Sequence, residues 1–505
     1  MRATWWGGVG LALAAACLPA PKPPEPLKPV RFLLINDVYV ADTMTDGRGG
    51  LARVATVRTR LADQGTILFV LAGDLLSPSL LSKYYGGRQM VEALNAAKLD
   101  YATFGNHEFE LPRDTLVARI AESNFHWISS NCTQADGSPF PKVLPWDTVR
   151  VSGHLVGMFG LTLRGDYRSY VRCADPDSVA HAVIQTLGEL KADLIVGLTH
   201  QSIEADRGLL ASEPTLDLIL GGHEHEAHDS VVTNRHVIKA DANSRTAQFA
   251  TLWGGKEHWR EAVGLVQIDN RLPDDSATAE VVHRWEDSLR TRLGPERVVA
   301  TAIDPIDARD VTNRRRESAI GDLVTDAIRA GTGAPVAIIN AGAMRLDDVI
   351  PAGPVSNYQM ESIFLFADET RIVTFPLTGT RLQEVLEHGV SDHGLGKGGF
   401  LQVSGIAFAF DPERPSGSRI DGPITRTGGK AIAPTDTVSV AFAAYAACHG
   451  GDGYKVPEAE GACAQADSAP RAVDLLLRYV ADSLKGTLAP IPPGRIRETG
   501  KTNPG

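Results

Sequence analysis

Gly221-Gly222-His223-Glu224-His225 closes an apolar run, Leu218-Ile219-Leu220. Two histidines at i, i+2 on a strand end can aim at one centre, and imidazole is the commonest protein metal ligand. Alone the spacing specifies little. Four further polar clusters share its context: Asn36-Asp37, Gly73-Asp74, Gly105-Asn106-His107-Glu108 and Thr199-His200. Oxygen and nitrogen donors without cysteine suit Zn, Mn or Fe rather than a structural thiolate zinc site. Two ions a few Å apart need a bridging carboxylate, and Asp74 is the natural one. Such a pair clamps a phosphoryl group and acidifies the attacking water. Each residue also has a plain alternative: Asp74 a turn residue, Asn106 a loop cap, His200 a hydrogen-bonded strand end. Their common placement favours the metal site.

That placement follows from the elements. Asp37, Asp74, Asn106, His200 and the His223/His225 pair each follow an apolar run, which reads as a strand: Phe32–Ile35, Ile67–Leu71, Tyr101–Phe104, Leu194–Leu198 and Leu216–Leu220. Leu155–Leu161 reads as a further strand, with Phe249–Trp253 and Ala262–Ile268 as later antiparallel ones. Helical patterns lie between them at Gly50–Gln64, Leu80–Ala97, Pro112–Ser123 and Asp177–Lys191. Strands alternating with helices predict a layered α/β domain, and in such sheets ligands gather beyond the carboxyl ends of the strands. Gly221 and Gly222 are expected to let the backbone turn there without a Cβ clash. Residues 276–297 read as a linker helix. Beyond it helices are expected at Ser318–Ala330 and Leu382–Gly389, and strands at Val336–Asn340, Arg371–Pro376, Ile406–Phe410 and Val438–Phe442.

Bulk properties agree with two domains. A chain of 505 residues exceeds one ordinary domain. A net charge of -11 with no basic tract argues against a nucleic-acid polymer as partner. It leaves room for small anions, because a metal supplies local positive charge. Residues 1–29 stand apart: a short apolar stretch from Trp5 to Ala16 reads as an export signal, and six prolines between Pro19 and Pro29 form a stiff tether. Leu13-Ala14-Ala15-Ala16-Cys17 resembles a lipoprotein cleavage site, which would attach a lipidated Cys17 to a membrane; plain secretion with cleavage after Ala20 is the alternative. Export to the periplasm or a membrane anchor is expected either way. Cys132, Cys173, Cys448 and Cys463 then allow three pairings, or none.

The ordered clusters resemble those of the calcineurin-like metallophosphoesterases. The second half is similar to the C-terminal domain of 5′-nucleotidases in Arg316-Glu317-Ser318-Ala319-Ile320-Gly321-Asp322-Leu323, Asn340-Ala341-Gly342-Ala343-Met344-Arg345, Phe400-Leu401-Gln402-Val403-Ser404-Gly405 and Gly450-Gly451-Asp452-Gly453-Tyr454. The resemblance spans about Arg31 to Arg478. It implies a four-layer αββα catalytic domain over 30–275 and a smaller α/β substrate-binding domain over 298–505. It also implies two divalent ions (Zn, Mn, Fe or Co). One would be held by Asp37, Asp74 and His225, the other by Asp74, Asn106, His200 and His223, with His107 beside the scissile phosphate and position 110 orienting it.

Two positions depart from the family pattern. Tyr39 stands where a histidine ligand is usual, and Glu110 where aspartate is usual. Tyr39 would ligate as a phenolate, leave its place to water, or pack nearby. For substrate, the resemblance implies Arg316 and Arg345 on the phosphate or ribose end, Asn340 and Gly342 at base or sugar, and Asp452 on the ribose hydroxyls. Phe366 and Tyr445 would flank the base; Tyr445 is one residue out of the family spacing. The implied reaction is hydrolysis of nucleoside 5′-monophosphates. Rival reactions on the same scaffold are 2′,3′-cyclic nucleotide phosphodiester cleavage, nucleotide-sugar pyrophosphate cleavage and sulfur-ester hydrolysis. A weakly active nucleotide-binding surface lipoprotein is the rival of another class.

Overall fold

The computed structural model describes residues 28–44, 46–165, 167–255, 258–366 and 370–500. The signal and the Cys17 and Ala20 cleavage alternatives lie outside the described residues. Among the described residues no helix is long and apolar enough to cross a membrane.

Strands β1 (Val30–Ile35), β2 (Leu68–Ala72) and β3 (Tyr101–Thr103) run parallel in a seven-stranded sheet, flanked on one side by the antiparallel hairpin Thr246–Gly255 and His258–Gln267. Strands β4 (Leu194–His200) and β5 (Leu218–Gly222) run parallel at the centre of a second, six-stranded sheet. The five polar clusters thus belong to two sheets, and meet because the sheets stack face to face.

Side-chain alternation shows the stacking. Phe32 and Leu34 of β1 pack with Val70 of β2 and with Met158, Val196, Leu198 and Leu220 of the other sheet. The intervening Leu33, Ile35, Phe69 and Leu71 face outward onto Val54, Met90, Leu94 and Leu116. Those four sit on helices α1 (Leu51–Ala62), α3 (Arg88–Ala96) and α4 (Arg113–Glu122). On the opposite side Ile195 and Ile219 pack against Ile184 and Leu187 of α5 (Pro176–Glu189) and Leu209 and Leu210 of α6 (Ile203–Ser212). Strands apolar on both faces are what a sheet covered on both faces requires. The result is four layers, helix, sheet, sheet, helix.

One expectation about elements needs correction. The single helix at Leu80–Ala97 is two: α2 (Leu80–Tyr85) is capped by Ser79 and ends at Gly86 in the left-handed region (φ 58°), and Arg88 starts α3 after Gly87 (φ 80°). Apolar periodicity ran through this break, but consecutive glycines ended the helix. At the expected linker position a helix, α7 (Ser276–Leu293), forms and lies against α1 and α3, with Val282 buried in their core.

The second half builds a four-stranded sheet in the order Ile372–Thr378, Thr437–Ala443, Val336–Asn340, Leu401–Ser404, with its own core around Ile338, Phe375, Val440 and Leu476. Of the possible pairings, Cys132–Cys173 and Cys448–Cys463 form the disulfides. Cys132 and Cys173 lie directly opposite each other on paired short strands.

Candidate active site

At the end of β1, Asp37 takes a positive φ of 52°, and at the end of β2 Asp74 takes 60°. Aspartate tolerates this region better than most residues, and it turns both carboxylates out of the strand direction. Both are fully buried. Neighbouring groups fix them: Asn36 Nδ2 donates to Asp37 Oδ2 (2.7 Å) and the His223 amide to the same oxygen (2.9 Å), while the His107 amide donates to Asp74 Oδ1 (2.9 Å). Glu108, also buried, accepts from the amides of Asp74, Leu75, Leu76 and Gly105 at 2.6–3.0 Å. It ties the loop after β2 to the loop after β3.

His200 ends β4. Its Nδ1 donates to the Ala72 carbonyl (2.8 Å), which aims Nε2 at Asp74 Oδ2, 3.1 Å away, and Asp37 Oδ1, 3.9 Å away. Ligand atoms of Asp37, Asp74 and His200 all lie within 4.8 Å of one another. Burial disfavours the His200 imidazolium, yet Asp74 and Asp37 push its pKa up to about 9. Burial and the neighbouring His200 lower that of His223 to about 4, so its imidazole is neutral. The two rings are 5.3 Å apart.

The glycines before His223 act differently from expectation. Gly221 and Gly222 stay in β5, and His223 (φ 89°) and His225 (φ 62°) themselves take the left-handed turns. Gly222 matters for space: a Cβ there would stand 2.3 Å from the Ala72 carbonyl oxygen. The histidine loop is held from below by Lys239, fully buried, which donates to the Gly222 carbonyl (2.8 Å) and pairs with Asp206 (2.9 Å) and Glu224.

Tyr39 reaches the same centre. Its hydroxyl donates to Asp74 Oδ2 (3.1 Å) and lies 3.0 Å from His225 Nε2 and 3.4 Å from Asp37 Oδ1. Burial and the two carboxylates raise its pKa well above the usual phenol value, so without added positive charge it stays protonated.

One buried atom of this centre, Asn106 Oδ1, makes no hydrogen bond to any described residue, and His200 Nε2 faces the carboxylate oxygens of Asp74 and Asp37. An unpaired buried polar atom is rare and calls for an explanation. A divalent cation bound here would supply one. Carboxylates, imidazoles and an amide oxygen, converging and part-unpaired, fit a zinc-, manganese- or iron-type site.

His107 stands beside this cluster. Glu110 accepts from its Nδ1 at 2.7 Å, so the longer carboxylate in place of aspartate still reaches. From the second domain, buried Arg345 places Nη2 3.0 Å from His107 Nε2 and 3.1 Å from Nδ1. Burial opposes its charge, but Asp310 and Glu110 hold it cationic. Its guanidinium lies 5.7 Å from the Phe366 ring centre.

The Phe366 and Tyr445 rings face each other, 13° from parallel with centres 6.5 Å apart. The one-residue offset does not keep the Tyr445 ring from facing Phe366. The helix Ala444–His449 ends at Gly450 (φ 65°), and the Tyr445 ring lies over Gly451, where a Cβ would stand 2.2 Å from a ring carbon. Asn340 Nδ2 donates to Asp452 Oδ2 (2.7 Å), and Gly342 packs on Gly398 with its amide donating to that carbonyl (2.8 Å).

The arginine expectation shifts by two residues. Arg316 is exposed. Arg314 of the same run is the one that turns in: it pairs with Asp310 and feels the charges of Arg345, Asp347 and Asp452. Three successive arginines gave no way to choose by sequence. Asp347 was also missed. It accepts from His225 Nδ1 at 2.9 Å, and the pair Asp347-Asp348 after Arg345 carried no pattern to single it out.

Comparison with known proteins bears on these features. The calcineurin-like phosphoesterase family model matches residues 30–227, and the 5′-nucleotidase C-terminal domain model matches residues 298–459. A 5′-nucleotidase of Bos taurus is 24% identical over 465 residues, covering 81% of this chain and 79% of its own. A 5′-nucleotidase precursor from Thermus thermophilus superimposes with a TM-score of 0.80 at 23% identity, covering 94% of this chain and 100% of that one. The sulfate thiohydrolase SoxB of the same organism, solved with glycerol, gives 0.72 at 16% identity, covering 95% and 98%. At these identities the structural likeness is one of fold.

Proposed function

The chain belongs to the calcineurin-like phosphoesterases that carry a 5′-nucleotidase C-terminal domain, metal-dependent hydrolases of phosphate esters, and on that premise we propose that it converts nucleoside 5′-monophosphates to nucleoside and phosphate. One observation carries this reading: the buried Asp37, Asp74 and His200 cluster meets, across the domain boundary, an arginine and a facing pair of aromatic rings. A phosphate, a ribose and a flat base require that combination in one place.

In this reading Asp37, Asp74 and His225 hold one divalent ion, with Tyr39 beside it. Asp74, Asn106, His200 and His223 hold the other. Bound there, such ions would supply positive charge for a phosphoryl group and a more acidic water. His107, held through Nδ1 by Glu110, offers Nε2–H to the ester oxygen that leaves with the nucleoside. Arg345 and Arg314 bind phosphate oxygens, for which the guanidinium fork is suited. Asp452, positioned by Asn340, accepts from the ribose hydroxyls beside Gly342. Phe366 and Tyr445 stack on the base. The two disulfides support an exported protein, since such bonds persist in oxidising compartments; a lipid anchor at Cys17 is the membrane-attached form of the same proposal. Mass spectrometry of the mature N-terminus tests it.

The activity test is phosphate release by chelated protein reloaded with Mn²⁺, Zn²⁺ or Co²⁺. AMP is expected to turn over only after reloading. Turnover confined to 2′,3′-cyclic nucleotides, nucleotide sugars or sulfur esters would overturn the monophosphatase reading.

A further inference from the structure

We propose that Asp347, in the second domain, is the positioning residue for His225, so that the second domain completes a metal site otherwise built by the first. The inference rests on the dimetal reading above. His225 ends a loop in the left-handed conformation, a third of its side chain is exposed, and among the described residues its Nδ1 meets a carboxylate, Asp347 Oδ2, at 2.9 Å. That bond directs the opposite ring nitrogen, Nε2, to Asp37 Oδ1 (3.4 Å) and the Tyr39 hydroxyl (3.0 Å). A carboxylate on the far nitrogen fixes the tautomer and ring orientation of a ligating histidine and raises its basicity.

Asp347 is itself held in place. Its other oxygen accepts from the Asp310 amide at 2.8 Å, and it sits at φ 45°. The backbone therefore commits this side chain to the domain boundary. Two residues earlier Arg345 reaches His107, so one short segment of the second domain touches both the proton donor and a metal ligand of the first. His200 differs: it is oriented by Ala72, within the first domain. The ion next to Tyr39 then depends on the second domain through His225, whereas the orientation of His200 does not. By linkage, an ion that binds better when Asp347 is engaged favours the engaged domain arrangement by the same factor.

The test is calorimetric titration of the chelated full chain with Mn²⁺ and with Zn²⁺. Wild type is expected to show two classes of site. Asp347→Asn keeps the shape and tolerates the positive φ, and is expected to weaken one class about tenfold. Asp347→Gly removes the carboxylate without backbone strain, and is expected to approach a 100-fold loss, with the second class unchanged in both variants. Asp347→Glu is expected to restore part of the affinity. Equal melting of all chelated proteins is expected, and separates positioning from misfolding. Wild-type affinity at both sites in both weakened variants overturns the proposal, as does equal weakening of both classes. A wild-type chain that binds no divalent ion overturns the dimetal reading itself, and this inference with it.

Discussion

His107 is the general acid of the proposed reaction. Its Nδ1 is engaged by Glu110, and Nε2 lies 3.8 Å from Asp74 Oδ2 and 3.0 Å from Arg345. General acids of this kind contribute about 10²–10⁴-fold. His107→Ala is therefore expected to lower kcat by about that factor while metal content, read by elemental analysis, stays at the wild-type level. A role confined to the ligand shell would instead lower both together. Tyr39 poses the opposite case. Its phenol is held protonated by burial and by the neighbouring Asp74 and Asp37 carboxylates, whereas a histidine in its place brings a neutral nitrogen donor. Tyr39→His is expected to tighten the ion it adjoins by about tenfold or more, measurable as slower loss of metal to a chelator. Unchanged or faster loss would show that the phenol is already an effective ligand.

At the scale of elements, backbone geometry decides two outcomes. The Tyr445 ring rests on Gly451, and an added methyl would stand 2.2–2.5 Å from its carbons. Gly451→Ala is expected to displace the ring and raise KM for AMP several-fold with kcat nearly kept, since base stacking is worth about 1–3 kcal/mol. A simple phosphate ester without a base serves as control and is expected to be indifferent. The helix Ala319–Thr332 carries the second outcome. Asp322 in its first turn is buried, and burial with Glu317 nearby pushes its carboxyl up to about 8 despite Arg495 at 3.3 Å. Between the ordinary carboxylate range and pH 8 the folded chain thus binds a proton that the unfolded chain releases. Stability from this group falls as pH rises through that window. Asp322→Asn removes the dependence, so denaturant unfolding is expected to show little change near pH 4 and a gain on the order of 1 kcal/mol or more at pH 8. A variant less stable at pH 8 would show that the Arg495 pairing dominates.

The whole molecule is joined by polar contacts that cross the domain boundary. Lys83 of α2 donates to Glu361 (2.9 Å) and to the Phe364 carbonyl (3.1 Å), with the Tyr84 hydroxyl on the same carboxylate. The pair is nearly inaccessible, with side chains 2% and 10% exposed. Removing one member of a buried pair leaves an uncompensated charge and costs about 3–5 kcal/mol. Lys83→Met is expected to split or broaden the calorimetric transition as the domains uncouple, and Lys83→Met with Glu361→Gln to recover most of the loss. A single sharp wild-type transition in Lys83→Met would place the coupling elsewhere, in Arg245–Asp348 (3.2 Å) or His225–Asp347.

The sequence by itself determined the strand-end clusters and hence the proposed metal-ligand set. Continuous apolar runs and the polar residue that ends each run are local signals, and a parallel strand must deliver that residue to its carboxyl end. It also determined that two domains of known family type follow one another. Three-dimensional packing decided the rest. Leu80–Ala97 kept its apolar period across Gly86-Gly87, so only the folded chain reveals two helices. Arg314, Arg315 and Arg316 are chemically alike, and the turn before the helix Ala319–Thr332 chooses which one points inward. Asp347 stands 122 residues from His225, a distance over which no spacing rule operates. Ligands carried on separate strands are legible because each is fixed by its own strand; partners that meet across a domain boundary are not, because their meeting depends on how two finished domains dock.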